Sequence, residues 1–140
     1  GEPLPIVEII PSHSLYDYDC KYSPGMSKYV CPAEIDKTLE HKIKNDSLEI
    51  FNALKCHGYG RLDFILDKNG IYYFLELNTL PGMTATSLLP IAGKKHGLSF
   101  RELINVIIKI SAKPWYLYNF NCLLIFFSFE NLLFRMVILM

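Results

Sequence analysis

The stretch from Gly60 to Asn78, GRLDFILDKNGIYYFLELN, constrains the fold more than any other part of the chain. Two runs rich in apolar residues flank the dipeptide Asn69-Gly70, and in that setting this dipeptide is the strongest short signal for a β-hairpin with a two-residue type I′ turn. Such a turn pairs Lys68 with Ile71 and sets the register of every pair behind it. The sequence therefore predicts two antiparallel strands whose opposed residues can be named.

One face of this hairpin is predicted to be apolar. Counting back from the turn, the register opposes apolar residues in three pairs: Leu66 and Tyr73, Phe64 and Leu75, Leu62 and Leu77. Side chains on one face of a strand recur at every second residue, so these pairs share a face. We expect this face to pack against the core.

The other face carries polar side chains near the open end of the hairpin. The same register places Asp63 opposite Glu76 and Arg61 opposite Asn78, with opposed Cβ atoms about 4.5–5.5 Å apart. Like charges directly opposed in a sheet destabilise it unless a positive charge lies between them. Mg²⁺ would supply that charge, because the oxygens of Asp, Glu and Asn are hard ligands of the kind it takes together with water and phosphates. The alternative is a solvated polar face on which Arg61 pairs with the acids, and spacing alone leaves both interpretations open.

A loop with sequence TLPGMTATSLLP follows Asn78. Gly82 allows a close backbone approach to a ligand, so its amide could donate to an oxyanion. Ser87 is predicted to start a helix, where free backbone amides and the helix dipole favour a carboxylate or phosphate. The alternative for Ser87 is a purely structural role as the N-cap of that helix.

The N-terminal third of the chain combines a strand pattern with a stretch that has no periodicity. Leu4 to Ile10, LPIVEII, is a short β-type run closed by Pro11. Ser12 to Asp36 is aromatic and polar, which is typical of a long ordered loop.

Two helices are predicted on either side of the hairpin. The first runs from an N-cap at Asp36 to about His57, with Gly58 as its C-terminal stop, and its apolar stripe comprises Leu39, Ile43, Ile50, Phe51 and Leu54. The second begins at a capping box formed by Ser99 and Glu102. Leu98 and Leu103 can contact each other across that box as a hydrophobic staple.

Composition narrows the class of protein. A chain of 140 residues corresponds to about one domain, and its 14 basic and 14 acidic residues produce no net field that would attract nucleic acid. Its four cysteines form no CxxC motif, which favours reduced thiols in a cytosolic protein over a zinc site. The chain begins at Gly1 rather than Met, so we expect it to be either processed or, the interpretation we favour, the end of something longer.

The segment GYGRLDFILDKNGIYYFLELNTLPGMTATSLLPIAGKKHGLSFRELI resembles the C-terminal part of D-alanine:D-alanine ligases, and YDYDCKYSPGMSKYVCPA resembles their phosphate-covering loop. The resemblance covers roughly residues 1–112 and depends on the ordered elements R-x-D, E-x-N-T-x-P-G-M-T and T-S-L-x-P. It implies an α+β fold, the C-terminal portion of an ATP-grasp fold, with an antiparallel sheet, flanking helices and a long active-site loop. It also implies ATP-dependent joining of two D-alanines through an acyl phosphate, for peptidoglycan synthesis.

The resemblance assigns the cofactors to particular residues. Asp63, Glu76 and Asn78 match the family's ligands for two Mg²⁺ ions that bridge the ATP phosphates, with Mn²⁺ as an alternative ion. Lys21 and Tyr22 match the Lys-Tyr pair of the covering loop, whose lysine contacts the transferred phosphate. The loop is expected to close over the site and exclude water.

The resemblance likewise assigns the substrate contacts. Arg61 and the amide of Gly82 match the groups that stabilise the tetrahedral intermediate, while Ser87 and Leu88 match those that hold the carboxylate of the second D-alanine. The partners implied are D-alanine, the N-terminal part of the same enzyme and, when the enzyme is complete, a second subunit in a homodimer.

Two departures from the family affect the expected activity. The N-terminal domain and the central ATP-binding segment have no counterpart, so the chain alone is expected to be inactive, either as the catalytic half of a ligase or as a noncatalytic domain. Ligases that use D-lactate or D-serine as second substrate share the same motifs.

The second departure is the apolar tail, residues 113–140, which begins where the family ends. A membrane anchor, a packed helix and an extension without evolved structure are the three interpretations. The last is favoured, and membrane contact is not expected, because Glu130 and Arg135 would each cost about 2.5–3.5 kcal/mol near the centre of a span.

Overall fold

The computed structural model describes residues 1–11 and 27–111, which contain four strands and three helices. The strands are β1 (Glu8–Pro11), β2 (Ser27–Val30), β3 (Arg61–Leu66) and β4 (Tyr72–Asn78). The helices are α1 (Lys37–Ala53), α2 (Leu88–His96) and α3 (Phe100–Ser111). Strand β1 pairs antiparallel with β2, and β3 pairs antiparallel with β4. The predicted α+β class, with antiparallel pairs and flanking helices, is confirmed.

Strand β1 is shorter than the predicted strand from Leu4 to Ile10, and its partner was predicted to be loop. Pairing begins only at Glu8, which lies opposite Val30. The preceding apolar residues are nevertheless buried, since Ile6 and Val7 are fully inaccessible to solvent. The loop prediction was wrong for Ser27–Val30, because a strand of four residues is too short to show an alternating pattern. Residues 12–26 of the predicted loop lie outside the described residues.

Helix α1 begins as predicted and ends earlier. The Asp36 side chain accepts hydrogen bonds from the amides of Thr38 (2.8 Å) and Leu39 (3.3 Å), which confirms it as the N-cap. The helix stops at Ala53 rather than near His57, so Gly58 is not its stop.

A Schellman motif accounts for the early end of α1. The amide of Lys55 donates to the carbonyl of Asn52, and the amide of Cys56 donates to the carbonyl of Phe51. Lys55 occupies the left-handed position of this motif with φ of 53°, where glycine is usual. A lysine at that position carries no sequence signal for a helix end.

The turn between β3 and β4 has three residues instead of the predicted two. Asp67 and Ile71 close the loop, with 2.8 Å from the Asp67 amide to the Ile71 carbonyl, and Gly70 adopts a positive φ of 79°. The Asp67 carboxylate accepts hydrogen bonds from the amides of Asn69 (2.9 Å) and Ile71 (2.8 Å). This side chain stabilises the longer loop, in which glycine takes the left-handed position.

A β-bulge in β4 restores the predicted register at the open end of the hairpin. Near the turn, Phe64 pairs with Phe74, so the predicted pairing of Phe64 with Leu75 was wrong. The register then shifts between Asp63 and Phe64, and Leu75 is the additional residue. Beyond the shift the pairs are as predicted: Leu62 with Leu77, Asp63 with Glu76 and Arg61 with Asn78.

The shifted register also changes which tyrosine packs on the core. Tyr73 is 48% exposed, although it was predicted on the core face, and Tyr72 packs against the core cluster instead. The Tyr72 hydroxyl accepts from Lys42 (2.7 Å) and donates to Asp46. These bonds attach β4 to α1.

Two apolar clusters hold the elements together. In the first, the stripe of α1 covers the hairpin, with Ile6, Ile43, Leu62, Phe64 and Leu77 buried. In the second, α2 and α3 pack with the N-terminal segment, and Leu4, Val7, Leu89, Ala92, Leu103 and Ile107 are buried. The loop that joins β4 to α2 connects the two clusters.

The predicted start of α3 is confirmed by its capping box. The amide of Ser99 donates to the Glu102 carboxylate (2.8 Å), and the amide of Glu102 donates to the Ser99 hydroxyl (3.3 Å). Leu98 and Leu103 belong to the same apolar cluster, as the predicted staple requires. Within residues 1–11 and 27–111 no helix is long and apolar enough to cross a membrane.

Candidate functional site

The open end of the hairpin holds a buried carboxylate paired with an arginine. Arg61 donates two hydrogen bonds to Asp63, from Nε to Oδ1 (2.8 Å) and from Nη2 to Oδ2 (2.7 Å). The side chain of Asp63 is only 1% exposed. Charge-assisted pairs of this two-pronged kind are the stronger hydrogen bonds in proteins, so the position of the Arg61 guanidinium is well defined.

The second carboxylate lies close to the same guanidinium. Glu76 Oε1 is 3.8 Å from Arg61 Nη2, and the Glu76 side chain is 30% exposed. Arg61 therefore provides positive charge to both opposed acids, as the second interpretation of the sequence expected, but the solvated face of that interpretation was wrong for Asp63, which is buried. That pairing leaves an edge of Glu76 open to solvent or to a ligand.

The electrostatics of Asp63 favour an additional cation. Burial raises the pKa of Asp63 from 3.8 to about 6, and the nearby Glu76 carboxylate acts in the same direction. The Arg61 hydrogen bonds and charge lower that pKa, but they do not offset the burial. A buried, ionised carboxylate in this position gains stability from any positive charge that reaches it.

The residues present fit a magnesium site in the type of their donor atoms. Asp63, Glu76 and Asn78 offer oxygen ligands only, as Mg²⁺ prefers. The Asn78 side-chain oxygen accepts from the amide of Leu80 (2.9 Å), which fixes its orientation. No group of three or more His, Cys, Asp or Glu side chains that could hold a metal occurs in the described part of the chain. A cation at this site would therefore take its remaining ligands from water or phosphate.

The loop between β4 and α2 brings Gly82 against Ser87. A Cβ atom at Gly82 would lie 2.8 Å from Ser87 Oγ, which is closer than atoms can approach without displacement. A side chain at position 82 would therefore displace the Ser87 hydroxyl, which is the group that Gly82 approaches in this structure. The role of the Gly82 amide as an oxyanion donor stays a prediction.

Ser87 occupies the N-cap position of α2 but does not cap the helix with its side chain. Its backbone is extended, as in an N-cap, and its hydroxyl makes no hydrogen bond to the amides of α2. The capping alternative was therefore wrong for the side chain. Ser87 Oγ instead accepts from the Thr84 amide (3.0 Å) and lies 2.8 Å from Thr84 Oγ1.

The first turn of α2 has only two backbone N–H groups that lack an acceptor within the helix. Pro90, at the third helical position, has no N–H, so Leu88 and Leu89 carry the amide donors of this turn. Since the Ser87 side chain does not bond to them, no side-chain cap from residues 1–11 and 27–111 occupies these donors, and an anion could accept from them. Ser87 and Leu88 therefore lie at the start of α2, and their predicted contact with a substrate carboxylate stays a prediction.

One residue of this arrangement was missed by the sequence reasoning. Thr84 holds the Ser87 hydroxyl, and it was not singled out. The available signal was Pro90, because an N-cap side chain normally accepts from the second or third helical amide and one of these is absent. Lys21 and Tyr22 lie outside the described residues, so their predicted positions in the covering loop stay predictions.

Comparison with known proteins identifies the family. A family model described as "D-ala D-ala ligase C-terminus" matches residues 2–109. The D-alanine–D-alanine ligase of Methylacidiphilum infernorum is 46% identical over 115 residues, which cover 82% of this chain and 38% of that ligase. The ligase of Aquifex aeolicus is 48% identical over 108 residues, covering 77% of this chain and 36% of that protein. The chain thus spans little more than a third of the length of these relatives.

Solved structures give the same result. The D-alanine–D-alanine ligase of Bacillus anthracis matches with a TM-score of 0.63 at 37% identity, over 77% of this chain and 35% of that one, and a complex of the same ligase with ATP matches equally. The VanG D-Ala:D-Ser ligase of Enterococcus faecalis matches with a TM-score of 0.57 at 27% identity, over 78% of this chain and 36% of that one. The chain belongs to the D-alanine:D-alanine ligase family and corresponds to the C-terminal part of its members.

Proposed function

We propose that this chain forms the C-terminal catalytic part of a D-alanine:D-alanine ligase, an ATP-dependent carbon–nitrogen ligase that makes D-alanyl-D-alanine for peptidoglycan. The observation that carries the proposal is the pair of opposed carboxylates, Asp63 and Glu76, both within 4 Å of Arg61 Nη2 (2.7 and 3.8 Å), in a chain that matches the family over residues 2–109. Two acids at the open end of a hairpin are costly to the fold, so they call for a function.

Asp63, Glu76 and Asn78 would hold two Mg²⁺ ions, or Mn²⁺ in their place. When bound, such ions would screen the negative charge of the ATP phosphates. The two acids tolerate one another in this structure because Arg61 lies against both. ATP as the nucleotide is supported by the likeness to a family member crystallised with ATP.

The reaction proceeds in two steps. The γ-phosphate of ATP is transferred to the carboxylate of one D-alanine, which gives an acyl phosphate and ADP. The neutral amine of the second D-alanine then attacks the acyl carbon, the new C–N bond forms as the acyl C–O bond breaks, and phosphate leaves while the amine nitrogen gives up one proton. An acyl phosphate hydrolyses in water, so the covering loop with Lys21 and Tyr22 must exclude solvent, and Lys21 contacts the transferred phosphate.

The residues around the acyl carbon have separate tasks. Arg61 and the Gly82 amide stabilise the negative oxygen of the tetrahedral intermediate, because fixed donors act most strongly where charge develops. Ser87 and Leu88 hold the carboxylate of the second D-alanine at the start of α2. This placement directs the amine of that substrate toward the acyl phosphate.

The proposal includes the remainder of the enzyme. The chain requires an N-terminal part to complete the ATP site and the first D-alanine site, and the complete enzyme acts as a homodimer in the cytoplasm, where ATP is available. D-Serine as the second substrate is less well supported than D-alanine, since identity to the D-Ala:D-Ser ligase is 27% against 37–48% for the D-Ala ligases compared above.

A chimeric ligase tests the proposal. Residues 1–111 of this chain replace the matching C-terminal third of the Bacillus anthracis ligase, and release of ADP is measured with D-alanine and ATP. We expect D-alanine-dependent turnover by the chimeric ligase and none above the blank by the 140-residue chain alone. A folded chimera that binds ATP without turnover would support the noncatalytic alternative. Faster turnover with D-serine or D-lactate in the second position would change the substrate assignment.

A further inference from the structure

We infer that Thr84 is a positioning residue, which makes the Ser87 hydroxyl a dedicated hydrogen-bond donor to the carboxylate of the second D-alanine. The inference deepens the proposed function and depends on it for the identity of the ligand. It arises from the hydrogen bonds around one oxygen atom, Ser87 Oγ.

The lone pairs of Ser87 Oγ can both be used by Thr84. A serine hydroxyl has two acceptor lone pairs and one donor hydrogen. The Thr84 amide donates to Ser87 Oγ at 3.0 Å, and Thr84 Oγ1 lies 2.8 Å from the same atom. Thr86 Oγ1, 3.3 Å from Thr84 Oγ1, can donate to Thr84 in turn. When the hydroxyls run in the order Thr86 to Thr84 to Ser87, only the hydrogen of Ser87 is left for another partner.

This bonding accounts for the missing cap. An N-cap serine must accept a hydrogen bond from its helix, but with the hydroxyls in this order Thr84 occupies both acceptor sites of Ser87. Its side chain accordingly makes no cap bond to α2. The amides of Leu88 and Leu89 and the hydroxyl of Ser87 are then all donors at the same helix start. A carboxylate only accepts hydrogen bonds, so it is the complementary ligand.

The absence of a side chain at Gly82 leaves space for the Ser87 hydroxyl in this position. Because a Cβ at Gly82 would come within 2.8 Å of Ser87 Oγ, the hydroxyl occupies space that any other residue at position 82 would fill. Thr84 fixes the hydroxyl by hydrogen bonds, and Gly82 leaves room for it. Both features belong to the loop that precedes α2, so they are in place before substrate arrives.

Kinetics of the chimeric ligase test the inference. Thr84→Val, which keeps the shape of the side chain and removes its hydroxyl, is expected to raise the KM for the second D-alanine about 3- to 10-fold, as for the loss of one hydrogen bond. The kcat should change by less than about 2-fold, since phosphoryl transfer to the first D-alanine is untouched. Thr84→Ser should restore the parent KM.

Two further variants separate positioning from simple structural support. Thr86→Val, the matched control, should stay within about 2-fold of the parent, because Thr84 keeps its own hydroxyl hydrogen to donate to Ser87 when Thr86 no longer donates to it. In a Ser87→Ala background, Thr84→Val should add nothing, because the two residues act through one hydroxyl. If Ser87→Ala raises the KM and Thr84→Val does not, the Thr84 inference is overturned and the proposed function stands. If Ser87→Ala leaves the KM unchanged, the carboxylate assignment fails together with the inference.

The 140-residue chain provides a measurement that needs no activity. In Thr84→Val the Ser87 hydroxyl regains a free acceptor site and should turn toward α2, so hydrogen exchange of the Leu89 amide should slow at least 3-fold relative to the parent chain. Unchanged exchange at Leu89, with the fold intact, would show that Thr84 does not set the direction of the Ser87 hydroxyl and would overturn the inference.

Discussion

Helices α1 and α2 both have a short polar residue at the N-cap position, but the side-chain oxygen atoms of these two residues make different hydrogen bonds. Asp36 accepts hydrogen bonds from two amides of its own helix. Ser87 makes no such bond and is held by Thr84 in the preceding loop. The comparison teaches that the N-cap position alone does not define a role. A side chain whose acceptors satisfy its own helix supports the fold, whereas one whose acceptors are satisfied elsewhere leaves the helix start open to a ligand.

Asp63 belongs to both classes of residue, those that support the fold and those that serve a ligand. It pairs with Arg61, and it is also one of the candidate metal ligands. We expect Asp63→Asn in the chimeric ligase to weaken Mg²⁺-dependent nucleotide binding by more than the roughly 10- to 100-fold that loss of an outer partner of a metal costs. It should also lower the melting temperature, since an Asn side chain cannot accept both hydrogen bonds that Arg61 donates to Asp63. The measurements are nucleotide titration with and without Mg²⁺, and a thermal melt.

Glu76→Gln is the variant to compare with Asp63→Asn, because it removes the charge of the other candidate metal ligand. Glu76 is more exposed and lies 3.8 Å from Arg61, so its replacement should weaken Mg²⁺-dependent binding with a smaller change in melting temperature. Unchanged Mg²⁺ dependence in both variants would exclude the hairpin as the metal site.

Ser87→Ala tests whether the Ser87 hydroxyl binds a ligand rather than stabilising its own helix. A charge-assisted hydrogen bond worth roughly 1.5–3 kcal/mol disappears, so the KM for the second D-alanine should rise about 10- to 100-fold. Because Ser87 does not cap α2, the loss of stability should be well below the ~1 kcal/mol of an ordinary cap. Steady-state kinetics at varied D-alanine and a thermal melt measure the two effects. A lower melting temperature with an unchanged KM would leave only a structural role.

Asp36→Ala tests the other half of the comparison between the two N-cap residues, namely that Asp36 supports only the fold. Removal of a bonded N-cap should cost about 1 kcal/mol in the free energy of unfolding. The KM for D-alanine should stay the same, because Asp36 lies at the start of α1 and its bonds are to its own helix. Denaturant unfolding of the 140-residue chain gives the first quantity and the chimeric ligase the second. An altered KM with unchanged stability would reverse the roles assigned to the two helix starts.

The smallest effect is a contrast in pH dependence between two aspartates. Burial raises the pKa of Asp63 in the folded chain to about 6, so its contribution to stability is complete below the unfolded pKa, near 4, and is lost as pH rises toward 6. Hydrogen bonds from Thr38 and Leu39 lower the pKa of Asp36, so its contribution is lost as pH falls below 4. Melting temperatures of Asp63→Asn and Asp36→Ala relative to the parent, between pH 3 and pH 7, should therefore diverge in opposite directions. Parallel profiles would contradict this assignment.

Local patterns in the sequence were sufficient for several elements of the fold. Asp36 and the pair Ser99 and Glu102 mark helix starts through residues that bond within one turn, so their positions could be read directly. The end of α1 could not, because Lys55 adopts a left-handed conformation that its side chain does not favour. Ser27–Val30 could not either, since its strand character comes from pairing with β1 rather than from its own residues.

The residues of the candidate site could be predicted from the sequence, but the side-chain hydrogen bonds that hold them could not. Asp63 was correctly placed opposite Glu76, although the turn was wrong by one residue, because the bulge at Leu75 compensates for it. The longer turn depends on the Asp67 carboxylate, and hydrogen bonds of a side chain to a turn are not visible in an apolar pattern. Thr84 was missed for the same reason, since a threonine in a polar loop carries no signal until its partner Ser87 is located in space.

The bulge gives the two strands of the hairpin unequal tolerance to changes in length. Strand β4 contains one spare residue, so deletion of Leu75 should be absorbed by straightening of the strand, with Glu76 still opposite Asp63. Strand β3 contains no extra residue of this kind. Deletion of Ile65 would therefore move Asp63 one position toward the turn and away from Glu76. Shortened homologues of this hairpin should therefore lose residues from β4, and a hairpin shortened in β3 should have lost the opposed acids.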